Sequence, residues 1–360
     1  MGSCVKCTGR VRPTRRQGER IDEVISSGPG TPIVVIVDPL ASLSIPLLGE
    51  DMKRFEPLLA ESVVIGDPFL DQVTTHLILA GGKRLRPMLA IASATGGTRE
   101  ASQDDLLGGV ALELMHLASL YHDDVMDEAV VRRNVESVNA RYGNLIAIVA
   151  GDYLMARSAA IAADLGTAVA GLLARTLALL TQGQVSEVRT SFKIDRSVDD
   201  YYEAIGGKTA ALMATSCRIG GLTAGLGTSE LDALSAYGYA LGIVFQLRDD
   251  ILDVVAIDGQ LGKPAGQDLA EGIYTLPVLV ALSDRNGAQL AEILGGPLDE
   301  DAREIARRLV VASPGIDEAL AEANRHVSAA TEAAAELSSP DLQRGFAALA
   351  SELMLGLPVG

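Results

Sequence analysis

Cysteine is scarce in this chain, with three residues in 360: Cys4, Cys7 and Cys217. Three thiols cannot build a disulfide framework, and a chain of this length has no need of one. Cys4 and Cys7 form a single C-x-x-C in a basic, turn-rich tail, and no second ligand pair follows at zinc spacing, so a structural zinc is not expected. Positive charge is also in deficit. The 30 Lys and Arg face 47 Asp and Glu, a formal charge of −17, whereas nucleic acid and anionic bilayers select a basic face. A nucleic-acid partner is therefore not expected. An unbroken apolar run near the start is lacking too: "PIVVIVDPLASLSIPLL" is interrupted by Asp38, Pro39 and Pro46, too short for a secretory core or a spanning helix. The opening "MGSCVK" has Lys6 where myristoylation wants Ser or Thr. These absences give the expectation of a cytoplasmic protein without an integral membrane segment.

Alternating β-branched runs are likewise scarce, and the apolar residues that are present recur at intervals of three and four. The stretches "LLGGVALELMHLASLYHDD" and "AVAGLLARTLALLTQGQVSEV" both exceed ten residues and are dominated by Ala and Leu. That is an all-α pattern. Gly-, Pro- and Asn-containing breaks such as "LAGGKRLRP", "ATGGTR" and "YGN" are short, which favours antiparallel neighbours and one large bundle of about ten helices. The basic segment holding Lys6, Arg10, Arg12, Arg15, Arg16 and Arg20 has no apolar stretch. The predicted division is a flexible leader over 1–45 and one all-helical domain over 46–360.

The chemistry concentrates in two acidic clusters. In "ASLYHDDVMDEAVVRRN", Asp123 and Asp127 share a helix face, with Asp124 one step round. Two such carboxylates about 6 Å apart repel by roughly 3 kcal/mol at an effective dielectric of about 20, and a cation between them reverses the sign. The spacing returns in "FQLRDDILDVV" as Asp249, Asp250 and Asp253. A solvated acidic face accounts for one cluster alone, but both sit on helices that are otherwise apolar. Carboxylates on two facing helices can hold a divalent metal, and all-aspartate donors suit magnesium, which keeps waters and is shared with substrate phosphates. Basic residues at Lys83, Arg84, Arg86, Arg132, Arg133, Lys208 and Lys263 offer matching anion contacts. The "GGKTA" stretch is not a phosphate-binding P-loop, because Tyr202 stands where that motif needs its first glycine and no strand precedes it.

Taken in order, "GGKRLRP", "ELMHLASLYHDDVMDEAVVRR", "GGKTAAL" and "FQLRDDILD" with "GKPAGQDLAEGIYTLP" closely resemble the trans-isoprenyl diphosphate synthases, or polyprenyl synthetases. The resemblance implies an isoprenoid-synthase bundle of mostly antiparallel helices around a central cavity, usually a homodimer. It implies Asp123, Asp127 and Asp249 as direct magnesium ligands, supported by Asp124, Asp250 and Asp253, with about three ions bound alongside the allylic diphosphate. Arg132, Lys208 and Lys263 would hold that allylic diphosphate. Lys83, Arg86, His116 and Arg133 would hold isopentenyl diphosphate without metal, and Thr209 and Gln246 would lie beside the reacting carbon. Two positions depart from the family pattern: Asn134 replaces a glycine after the paired arginines, and Ile273 replaces a lysine.

In this family the residues just before the first aspartate motif line the cavity floor. Here Ala118 and Ser119 are small, so growth is expected to pass one turn further, towards Met115, giving an all-trans product in the hexaprenyl-to-decaprenyl range. Two other readings compete. A class I terpene cyclase keeps the first motif but not the second, and a non-catalytic regulatory subunit of a heteromeric synthase loses aspartates from one or both. This chain keeps all six.

Overall fold

The computed structural model describes residues 37–256, 265–285 and 287–358. Helices α1 (Pro39–Leu43), α2 (Leu48–Glu61), α3 (Pro68–Leu79) and α4 (Leu85–Thr95) lead into the long α5 (Gln103–Met126). A small hairpin, β1 (Val131–Arg132) and β2 (Val135–Glu136), precedes α6 (Val138–Tyr142), α7 (Asn144–Asp164) and α8 (Thr167–Thr190). Then α9 (Val198–Ile205) runs through a π-helical turn, Gly206–Ala210, into α10 (Ala211–Thr223), which is followed by α11 (Thr228–Val255). The chain closes with α12 (Gln267–Ala270), α13 (Leu276–Ser283), α14 (Gly287–Ile293), α15 (Glu300–Val311), α16 (Gly315–Ala335) and α17 (Pro340–Glu352). The protein is all-α.

Local chemistry sets the helix starts. Ser102 caps α5 in a reciprocal box with Asp105, and Ser197 does the same for α9 with Asp200. Proline occupies the first turn of α1, α3 and α17 behind Asp38, Asp67 and Ser339, where its missing N–H costs nothing. Helix α5 packs between α4 and α7, while α10 contacts α4, α5, α8 and α11, so the two aspartate-bearing helices flank a shared neighbour.

The packed structure begins before residue 46, which corrects the end of the predicted leader. Helix α1 lies on α17, with Leu43 and Ile45 almost sealed from solvent and the Ser42 hydroxyl donating to Glu352. Three apolar side chains, Val37, Leu43 and Ile45, gain more by burial than a free tail would keep in entropy. The rest of the leader, to residue 36, lies outside the described residues. Among the described residues α7 is the one helix long and apolar enough to cross a membrane, with a mean hydropathy of 1.5. It buries Ala147, Ala150 and Leu154 in the bundle and exposes Leu145, Ile148 and Val149.

Candidate active site

The last turn of α5 carries Asp123 and Asp124, and Asp127 is its C-cap, its N–H bonded to the Asp123 carbonyl. The three carboxylates differ in setting. Asp123 is half-buried, and burial pushes its carboxyl up to about 6, Asp127 and Glu187 adding to the rise against the pull of Lys208 and Arg132. Asp127 is also raised, by burial and then by Glu271 and Glu187. Asp124 is fully buried: its Oδ1 accepts from Arg132 Nε at 2.6 Å, and its Oδ2 is enclosed with no hydrogen-bond partner.

The first basic motif is divided by the structure. Gly81 and Gly82 have positive φ, and Arg84, at φ 48°, turns inward to pair with Glu56 at 2.9 Å and Glu113 at 2.8 Å. Lys83 stays exposed on the turn. Arg86 Nη1 lies 3.2 Å from His116 Nε2. Burial first, then Arg86 and three further arginines, holds His116 well below its usual range, so the ring is neutral and accepts from the guanidinium. Burial also lowers Arg86, to about 10. The hairpin delivers the other arginines: Arg133 and Asn134 form its two-residue turn at φ 54° and 62°, which is why asparagine can stand where the family prefers glycine. Arg133 donates to the carbonyls of Leu77 and Gly81 and lies 3.7 Å from Glu113.

Lys208 and Thr209 sit on the π-helical turn between α9 and α10. The turn lies backbone to backbone on α8: a Cβ on Gly183 would meet Lys208 N at 2.6 Å, and one on Gly207 would meet the Leu179 carbonyl at 2.6 Å. The glycines of "GGKTA" therefore serve close packing. Lys208 Nζ donates to Glu187 at 2.5 Å; burial works against its charge, but Glu187, Asp123 and Asp127 outweigh burial and raise it.

On α11, Asp249 is exposed while Asp250 and Asp253 are buried. Asp250 Oδ2 accepts from Tyr201 Oη at 2.6 Å and Oδ1 from Gln246 Nε2 at 2.9 Å. Burial pushes it up to about 8, Asp268 adding to the rise and those two donors opposing it. Asp253 accepts from Asp268 N at 3.2 Å, tying α12 to α11. Lys263 lies outside the described residues.

Five of these groups, Arg86, His116, Asp123, Lys208 and Thr209, line a cavity of about 570 Å³, whereas Asp127, Arg132, Arg133 and the α11 aspartates are not among its lining residues. With Asp152 and Gln184 those five supply much of the polar part, and Leu120, Met155, Leu177, Leu180 and Leu212 much of the apolar wall. The chain-length assignments need correction here. Ser119 lines the cavity, but Ala118 and Met115 do not. Ala118 is wholly buried in the cluster that includes Ala147, Ala150 and Leu154, and the His122 ring lies directly on Gly151. Small residues on both helices, Ala118 on α5 and Ala147, Ala150 and Gly151 on α7, accompany the close packing of the two. Met115 lies behind the wall, clustered with Leu180 and Leu212.

Among the described residues no three carboxylate or imidazole groups converge as a finished metal cage. The donor set nevertheless fits a hard divalent cation. Its carboxylates are raised by burial and by one another, Asp124 Oδ2 is enclosed and unpartnered, and magnesium completes its shell with water and substrate phosphate. Residues that sequence reasoning missed include Glu187, the partner of Lys208, and Glu113, the buried counter-charge of Arg84. Glu113 stands in the apolar middle of α5 and Glu187 is the one carboxylate of α8, a visible but weak signal.

The chain matches the Polyprenyl synthetase family over residues 67–311. It is 40% identical to the nonaprenyl diphosphate synthase of Mycobacterium tuberculosis over 270 residues, 74% of this chain and 80% of that protein. It is also 40% identical to the heptaprenyl diphosphate synthase component 2 of Geobacillus stearothermophilus over 261 residues, 72% of this chain and 80% of that one. Among solved structures, a polyprenyl synthase from Caulobacter crescentus complexed with calcium and isoprenyl diphosphate superposes with a TM-score of 0.81 at 31% identity, covering 87% of this chain and 97% of the other.

Proposed function

The chain belongs to the polyprenyl synthetase family, and from that premise we propose that it condenses isopentenyl diphosphate head to tail onto an allylic diphosphate to build an all-trans polyprenyl diphosphate. It is a prenyltransferase. The observation that carries the reading is the two-part cavity, an apolar body closed by a rim of Asp123, Lys208, Arg86 and His116. Such a space suits a molecule with a hydrocarbon tail and a polyanionic head.

Asp123, Asp127 and Asp249 would hold magnesium, with Asp124, Asp250 and Asp253 in support. When bound, magnesium neutralises the diphosphate and makes it a better leaving group. Lys208, Arg132 and Lys263 stabilise the same departing charge, so the allylic C–O bond can ionise. Arg86, Arg133, Lys83 and neutral His116 hold isopentenyl diphosphate so that its double bond faces the cation. Thr209 and Gln246 stand beside the reacting carbon, and the leucine wall excludes water that would quench it. The proton released after bond formation passes to the diphosphate.

The product belongs in the hexaprenyl-to-decaprenyl range, in keeping with the nonaprenyl and heptaprenyl synthases that the chain is similar to. The exposed apolar residues of α7 and α8, among them Leu145, Val149, Leu179 and Val188, support a homodimer. A cytoplasmic site of action completes the reading. The test is a product assay with purified protein, magnesium, farnesyl diphosphate and labelled isopentenyl diphosphate, read by mass. A discrete long polyprenyl product that vanishes with chelator is expected. A hydrocarbon from the allylic diphosphate alone would replace this reading with a cyclase.

A further inference from the structure

Tyr201 is wholly buried on α9 and takes no part in the mechanism above. Its hydroxyl donates to Asp250 Oδ2 at 2.6 Å, its ring lies edge-on to Tyr202, and the Arg196 guanidinium sits 5.7 Å from its centroid. Arg196 is in turn anchored to the Tyr274 carbonyl at 2.9 Å, so the ring has little freedom. From Asp250 the hydrogen bonds continue towards the cavity. Gln246 Nε2 donates to Asp250 Oδ1 at 2.9 Å, and Gln246 Oε1 accepts from Thr209 Oγ1 at 2.9 Å. Thr209 lines the cavity.

The direction of this chain matters. In the ionised carboxylate, the form that would support magnesium, every donation runs towards Asp250: Tyr201 fills one of its oxygens, and the Gln246 amide nitrogen the other. The amide therefore turns its oxygen to Thr209. A hydroxyl has one proton to give, and Thr209 spends it on Gln246, which leaves only its lone pairs for the cavity. Lone pairs aimed at the reacting carbon stabilise positive charge developing there and need no reorganisation when it forms.

We infer that Tyr201 is a positioning residue for the transfer reaction: by holding Asp250 from behind, it fixes the Gln246 amide and turns the Thr209 lone pairs towards the allylic cation. The inference rests on the prenyl-transfer reading of the site. Because the effect belongs to the transition state, Tyr201→Phe should lower kcat about tenfold, the worth of one hydrogen bond, and leave KM for both diphosphates within about twofold. In a Thr209→Val background, where no hydroxyl remains to be oriented, Tyr201→Phe should cause no further loss of kcat.

The experiment is that double-mutant cycle, with melting temperatures measured beside the kinetics. Losses that multiply, or a rise in KM at unchanged kcat, would overturn the inference and leave Tyr201 a core residue. Should Y201F not fold, Thr209→Val alone decides: a kcat within about twofold of wild type would show that no oriented hydroxyl serves the transition state and would overturn the inference. Wild-type protein that makes no polyprenyl product would instead sink the functional reading, so the two failures are distinct.

Discussion

At the scale of single residues, the structure sorts the charged side chains by what surrounds them. Lys208 faces Asp123, Asp127 and Glu187 at the cavity rim. Removing it as Lys208→Ala should lower kcat by about a hundredfold or more, as for other preorganised groups that stabilise departing charge, with the fold retained by circular dichroism. The acidic groups make a pH prediction. In the cation-free protein Asp123 titrates near 6 and Asp250 near 8, both above the ordinary carboxylate value of about 4. Between those limits the folded chain holds protons that the unfolded chain has released, so stability falls as pH rises from about 4 to about 8. In chelator the melting temperature should be lower at pH 8 than at pH 5.5, and magnesium should recover it at pH 8; a flat profile would contradict the burial of these carboxylates. Residue types and spacing made the six aspartates legible. Their different environments were not, because whether a carboxylate meets water, Arg132 or Tyr201 depends on segments far away in sequence.

Elements decide the shape of the cavity. Ser119 lines it, and Ala118 packs in the core cluster with residues of α7. Ser119→Phe should therefore shorten the product, read by mass, with little change in melting temperature. Ala118→Phe should cost about 1–3 kcal/mol by overpacking the contact between α5 and α7, and a folded A118F with shorter product would show that growth passes between those helices. The π-helical turn gives a second prediction. Gly183→Ala drives a methyl into Lys208 N and the Ala204 carbonyl, each under 3 Å away, so it should lower both stability and kcat by displacing Lys208. The recurrence of apolar residues at three and four foretold that α5 and α8 exist, and the apolar setting of the second acidic cluster foretold α11. The π-turn was beyond them, since it answers to backbone contact with α8 rather than to local propensity.

For the whole molecule, the open question is whether one kind of chain suffices. One relative is named as component 2 of a heptaprenyl synthase, yet this chain carries both aspartate motifs, and Asp123, Arg86, His116 and Lys208 line one cavity. The purified protein alone should elongate farnesyl diphosphate and should elute as a dimer through the apolar faces of α7 and α8. Activity only after a second, different chain is added would make it one component of a pair. The sequence by itself determined the helical class and singled out Asp123, Lys208, Arg86 and His116, which the fold brings to one cavity, because periodicity and motif spacing are local properties of the chain. Only the tertiary structure decided that Ala118 serves helix packing, that Glu187 and Glu113 balance the buried cations, and that Tyr201 stands behind Asp250. Those facts arise where separate helices meet, and the distance between two side chains on different helices is fixed by packing, not by their places along the chain.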